Sequence, residues 1–142
     1  MTRKVSMFID GQSVISESAD CLDVTDPATQ DVICQVPMAT HDEMEQAIAS
    51  AKNAFETWKD VPVTQRARLM LNFQYLLKKH HDELAEILAE ETGKNFEDAK
   101  GDVWRGIEVA EHAANMPSMM MGETVENVAN KVDTYSMIQP LG

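Results

Sequence analysis

The chain has 142 residues, long enough for one domain with a core of its own, and 44% of them are apolar. Asp and Glu outnumber Lys and Arg 24 to 12, a formal net charge of -12. Such a surface repels phosphate backbones and anionic lipid, which argues against a nucleic-acid or membrane partner, and no run of about 18 apolar residues marks a transmembrane helix.

The start, Met1-Thr2-Arg3-Lys4-Val5-Ser6, holds neither a signal-peptide apolar stretch nor a transit segment rich in Arg and Ser, so the expected compartment is cytoplasmic. Phe8-Ile9 and Val14-Ile15 flank Asp10-Gly11, a dipeptide suited to a tight hairpin. Asp26-Pro27-Ala28-Thr29 marks a second turn, and Val32 to Val36 reads as a strand closed by Pro37. Helix signals begin at Thr40, which forms a capping-box pattern with Glu43. Met44, Ala47, Ile48, Ala51, Phe55 and Trp58 then recur at helical spacing. A second helix starts near Thr64, with Leu69, Met70, Phe73, Leu76 and Leu77 as its stripe. A third follows His81-Asp82, turns Leu84, Ile87 and Leu88 inward, and stops at Gly93. The fourth spans about Asn95 to Asn115, with Phe96, Ala99, Val103, Ile107, Ala110 and Ala114 on one face, and Pro117 as its terminator. Two strands, Thr124 to Val128 and Thr134 to Ile138, then flank Ala129-Asn130-Lys131. An isolated hairpin is marginal in water, so this one is expected to pack on another chain or domain.

Gly101-Asp102-Val103-Trp104-Arg105-Gly106 stands out within the fourth helix. Each glycine costs a helix roughly 1 kcal/mol relative to alanine. Two beside one arginine suggest close backbone approach or a ligand. Arg105 lies about 200° from Val103 around the helix, on a side shared with Asp98, Asp102, Glu108 and His112. Two readings are open on spacing alone. One is a solvated ion-pair helix. The other is an anion clamp, because a guanidinium binds a carboxylate through two parallel hydrogen bonds.

Other constellations are weaker. His80-His81 cannot chelate a metal from one helix face, since adjacent residues point about 100° apart. Met116, Met119, Met120 and Met121 read as adaptable packing. Cys21 and Cys34 fit no disulfide or metal spacing, and neither has an adjacent histidine to make it a nucleophile. No glycine-rich nucleotide loop and no metalloprotease motif occurs.

The order of hairpin, Asp26-Pro27-Ala28-Thr29 turn, strand, Thr40-capped helix ending in Ala54-Phe55 and Trp58, then Arg66-Ala67-Arg68, resembles the beginning of aldehyde dehydrogenases. So does Glu90-Glu91-Thr92-Gly93-Lys94. Cys34-Gln35-Val36-Pro37, Asn72-Phe73-Gln74, Gly101 to Glu108, Pro117 to Gly122 and Pro140-Leu141-Gly142 are similar to the CoA-acylating methylmalonate-semialdehyde dehydrogenase branch. The resemblance implies an α/β fold. Residues 1–121 would be an incomplete helical layer of the NAD-binding domain, 122–139 the start of an oligomerisation hairpin, and 140–142 the entry to a Rossmann-like sheet. It implies NAD as cofactor and CoA as co-substrate, with methylmalonate or malonate semialdehyde converted to propionyl-CoA or acetyl-CoA, carbon dioxide and NADH. It implies a homo-oligomer, with the nucleophilic cysteine and most NAD contacts outside these residues, so that no catalytic and no cofactor-binding residue is expected here. It also carries one role onto this chain: the arginine of the branch's G-[DE]-V-x-R-G pattern, which holds the substrate carboxylate, falls on Arg105, and this favours the clamp. The alternatives are an aldehyde dehydrogenase that hydrolyses its thioester with water, and a free-standing helical module that dimerises through the last hairpin.

Overall fold

Asp10 and Gly11 adopt left-handed backbone, with φ of 52° and 72°. That conformation matches the twist of a tight hairpin. In the computed structural model, which describes residues 3–141, they join β2 (Met7–Ile9) to β3 (Gln12–Val14). The terminal Gly142 of the Pro140-Leu141-Gly142 match lies outside the described residues. A second hairpin pairs β4 (Cys21–Thr25) antiparallel to β5 (Val32–Pro37). Its turn forms because the Asp26 carboxylate accepts the Ala28 N–H at 2.7 Å. The short β1 (Arg3–Lys4) adds parallel to β5, giving the order β1-β5-β4. Two residues are too few to show strand periodicity, so this pairing left no signal in the sequence.

The expected helices follow. Helix α1 (His41–Trp58) opens on the full capping box: Thr40 Oγ1 accepts the Glu43 N–H at 3.3 Å, and Glu43 Oε2 accepts the Thr40 N–H at 2.7 Å. Then come α2 (Val63–Lys79), α3 (His81–Thr92) and α4 (Phe96–Ala114). Helix α4 packs against both α2 and α3. Among the described residues the buried apolar ones are Ala67, Ala85, Ala99, Ala110 and Ile107. Four alanines let the helices approach closely around one large side chain. Gly93 ends α3 at φ 67°, and a Cβ there would sit 2.8 Å from Pro27 Cγ, so the β4–β5 turn and the end of α3 press on each other.

Two expectations need correction. The chain has five described helices where about four were expected: Pro117 does not merely end α4 but sits in the first turn of α5 (Met116–Met119). A proline there lacks only an N–H that has no helical partner anyway. The last hairpin pairs β6 (Thr124–Ala129) with β7 (Val132–Tyr135), so its second strand starts and ends earlier than Thr134 to Ile138. Its turn is Asn130-Lys131, with Lys131 at φ 62°. Asn127, at φ 51°, bulges out of the ladder and donates its N–H to Asp133 Oδ1 at 2.8 Å. At the root, Ser136 N–H donates to the Glu123 carbonyl at 2.9 Å, and Glu123 N–H donates to Ser136 Oγ at 2.9 Å. A Cβ on Gly122 would overlap the Ser136 carbonyl.

Many stripe residues face solvent in the described chain. Met44, Ile48 and Trp58 of α1 are exposed, as are Leu69, Phe73 and Leu76 of α2 and Ile87 of α3. Helix α2 instead buries Ala67 and half-buries Val63, Met70, Gln74 and Leu77. That face lies about 100° around the helix from Leu69 and Phe73. An open groove of about 350 Å³ runs between the β1-β5-β4 sheet and α3, lined by Val24, Cys34, Val36 and Ile87 among others. No described helix is long and apolar enough to cross a membrane.

Candidate functional site

Helix α4 positions the arginine singled out in the sequence. Asn95 caps it: its side-chain oxygen accepts the Asp98 N–H at 3.0 Å, and Glu97 and Asp98 add negative charge to the first turn. Ala99, Ile107 and Ala110 turn one face inward. The opposite face carries Arg105, whose side chain is 80% exposed. Arg105 Nη1 donates to Asp102 Oδ1 at 3.2 Å. The other oxygen of Asp102, Oδ2, is held by Lys94 Nζ from the α3–α4 connection. The lysine hydrogen bond and charge, then the nearby guanidinium, hold the Asp102 carboxyl below its ordinary value. The i,i+3 pair of the ion-pair reading therefore exists, and the rest of the guanidinium faces outward.

Beyond the chain neighbours and the backbone of α4 itself, no described atom lies within 4 Å of a Cβ built on Gly101 or Gly106. Packing within this part of the chain does not account for either glycine. Asp98 bonds Asn95 Nδ2 instead of Arg105. The sequence carries no signal of the Lys94 contact. It spans eight residues across a helix start, where no periodicity connects the partners.

The other candidates resolve into structural roles. His81 Nε2–H donates to the Lys100 carbonyl at 2.9 Å, and its ring meets Trp104 edge-on at 5.9 Å. His80 Nδ1 pairs with Glu83 at 2.8 Å, so the two imidazoles do not converge. Lys78 Nζ lies 5.4 Å from the Trp104 ring centre and pairs with Glu111 at 2.8 Å. Met120 Sδ accepts from Arg66 Nη2 at 3.6 Å, a contact between α2 and the end of α5. Cys21 and Cys34 are free, half-buried and paired across the sheet with Pro37 and Val24. Among the described residues no three His, Cys, Asp or Glu side chains gather as a metal site.

An NAD pyrophosphate needs free N–H groups at a helix N-terminus, usually after a glycine-rich turn. Strand β5 does lead into α1, but the connection Met38-Ala39-Thr40 holds no glycine, and Thr40 Oγ1 already takes the Glu43 N–H of the first turn. That strand-to-helix turn therefore does not fit the cofactor's pyrophosphate.

The sequence pattern of the aldehyde dehydrogenase family matches residues 14–142. The chain belongs to the aldehyde dehydrogenase family. Within the family it is 46% identical, over its whole length, to the mitochondrial acylating methylmalonate-semialdehyde dehydrogenase of Arabidopsis thaliana, of which it covers 23%. It is 45% identical over 141 residues to malonate-semialdehyde dehydrogenase 1 of Geobacillus kaustophilus, covering 29% of that protein. A crystal structure from Sinorhizobium meliloti, assigned as a methylmalonate-semialdehyde dehydrogenase and complexed with NAD, superposes with a TM-score of 0.93 at 37% identity. That match covers 100% of this chain and 29% of the other. The chain thus spans between a quarter and a third of the length of most such relatives. Its mixed helix-and-strand architecture is that of the family.

Proposed function

We propose that this chain is part of an NAD-dependent, CoA-acylating dehydrogenase of methylmalonate or malonate semialdehyde, and that Arg105 anchors the substrate carboxylate. The observation that carries the reading is an outward-facing guanidinium with one protein partner among the described residues. It stands beside two glycines whose surroundings are open, on a chain of net charge -12. Support also comes from the relatives above, whose names specify these semialdehydes. A carboxylate-bearing aldehyde held at its anionic end leaves the carbonyl end for the reaction. In the complete enzyme the aldehyde carbon would be oxidised to the thioester level, and the carboxylate would leave as carbon dioxide, its bonding pair staying on the α-carbon, which takes up a proton. NAD supplies only the hydride-accepting ring, and its contacts are not assigned to these residues. CoA is proposed as the acyl acceptor.

Residues 1–121 are proposed as a helical layer of the NAD-binding domain, and 122–139 as an arm for homo-oligomer assembly. All ten residues of β6 and β7 are exposed, which supports the second assignment. The 142-residue chain alone is expected to form no NADH from a semialdehyde and NAD.

The test uses the complete enzyme. Arg105→Leu should raise KM for the carboxylated aldehyde about 10- to 100-fold more than for propanal, the range for losing a charged hydrogen bond. Equal losses on both aldehydes would leave Arg105 a folding role and reject the anchor. NADH formation at the same rate with and without CoA would reject the acylating assignment.

A further inference from the structure

Arg105 needs more than exposure to act as an anchor. A free arginine side chain carries roughly 2 kcal/mol of rotamer entropy, which a ligand must overcome if nothing has restrained it already. Asp102 sits one turn before Arg105 and accepts from Nη1 at 3.2 Å. A guanidinium has five N–H donors. The bond to Asp102 uses one and leaves the others without a partner among the described residues. Helical side chains lean toward the preceding turn, so the arginine lies over the turn that holds Gly101. A Cβ at Gly101 would meet nothing within 4 Å, which leaves room there for a ligand.

An aspartate so placed carries a cost, because its charge cancels that of the arginine at short range. Lys94 answers this by holding Asp102 Oδ2, the oxygen that Arg105 does not use. Lys94 and Asp102 are about equally shielded, at 35% and 36% exposure, whereas Arg105 is 80% exposed. The pair is therefore the shielded end of the trio and the guanidinium its exposed end. The three charges sum to one positive charge, displayed at the exposed end.

We propose that Asp102 is a positioning residue for Arg105, and that Lys94 fixes Asp102 and offsets its charge so that the guanidinium meets a substrate carboxylate pre-oriented and fully charged. The inference rests on the reading of Arg105 as the carboxylate anchor.

The experiment measures the KM ratio of the carboxylated semialdehyde to propanal in the complete enzyme. The variants are Asp102→Ala, Asp102→Asn, Lys94→Met, Arg105→Leu and the double variant Arg105→Leu/Asp102→Ala. Loss of a pre-ordered side chain corresponds to about a fivefold rise in that ratio for Asp102→Ala. Asp102→Asn keeps an acceptor for Nη1 and should fall between Ala and wild type. Lys94→Met keeps the stem, loses the charge and should raise the ratio several-fold, which gives a second reading if Asp102→Ala fails to fold. Adding Asp102→Ala to Arg105→Leu should change the ratio no further. If Arg105→Leu shifts the ratio and neither Asp102→Ala nor Lys94→Met does, the positioning proposal is overturned while the anchor stands. If Arg105→Leu leaves the ratio unmoved, the anchor reading itself fails.

Discussion

Glu43 shows how much one side chain does in this chain. It is 9% exposed, yet its carboxylate accepts three hydrogen bonds. Oε2 takes the Ser16 hydroxyl at 2.9 Å and the Thr40 N–H at 2.7 Å, and Oε1 takes the Glu17 N–H at 2.8 Å. The capping box was legible as T-x-x-E. The reach to Ser16 and Glu17 was not, because they lie more than twenty residues upstream. These bonds, led by those from the Thr40 and Glu17 backbone, hold the Glu43 carboxyl below its ordinary value of 4.5. A carboxyl depressed by folding stabilises the protein above its unfolded pKa, and that contribution fades as pH falls through the folded value. Glu43→Gln, whose amide nitrogen cannot accept, should lower Tm most near neutrality. The gap between variant and wild type should close well below pH 4.5. A gap that stays constant from pH 7 to about pH 3 would refute the ionised lock.

At the scale of elements, α4 is the piece read most faithfully from sequence. Its span from about Asn95 to Asn115 and the buried Ala99, Ile107 and Ala110 of its inward face were visible as local chemistry, whereas Phe96, expected on that face, is exposed. Its hub is Ile107, which is 0% exposed among four buried alanines. Ile107→Ala should destabilise the fold by about 2–5 kcal/mol, because neighbouring alanines cannot move in to fill the cavity. A urea melt of the complete protein showing less than about 1 kcal/mol would mean that the helices collapse onto the gap. Helix α2 was read less well. Its apolar residues cover more than one face, and spacing shows that a stripe exists but not which side meets a neighbour. Gln74 lies on the packed side because its amide reaches Glu111 of α4, a partner that periodicity does not reveal.

For the whole molecule, exposed apolar surface sets the behaviour. Leu69, Phe73 and Leu76 on α2, Met44 and Ile48 on α1, and the valines of the last hairpin all face outward in the described chain. In the proposed assembly, Val128 of β6 becomes buried. Val128→Asp should then weaken association of the complete enzyme at least about tenfold, since a buried valine contributes about 1.5–3 kcal/mol. An unchanged mass by light scattering on dilution would remove the hairpin from the interface. The hairpin's root was not visible in the sequence, because Gly122 and Ser136 meet across fourteen residues without a motif. That root has a consequence for descent. Two hydrogen bonds and a glycine close the base of the hairpin on itself, while its shaft touches little else among the described residues. With the arm and Arg105 in their proposed roles, a lineage could lengthen, trim or replace the shaft without disturbing Arg105, and quaternary form and substrate choice would diverge on separate evolutionary clocks.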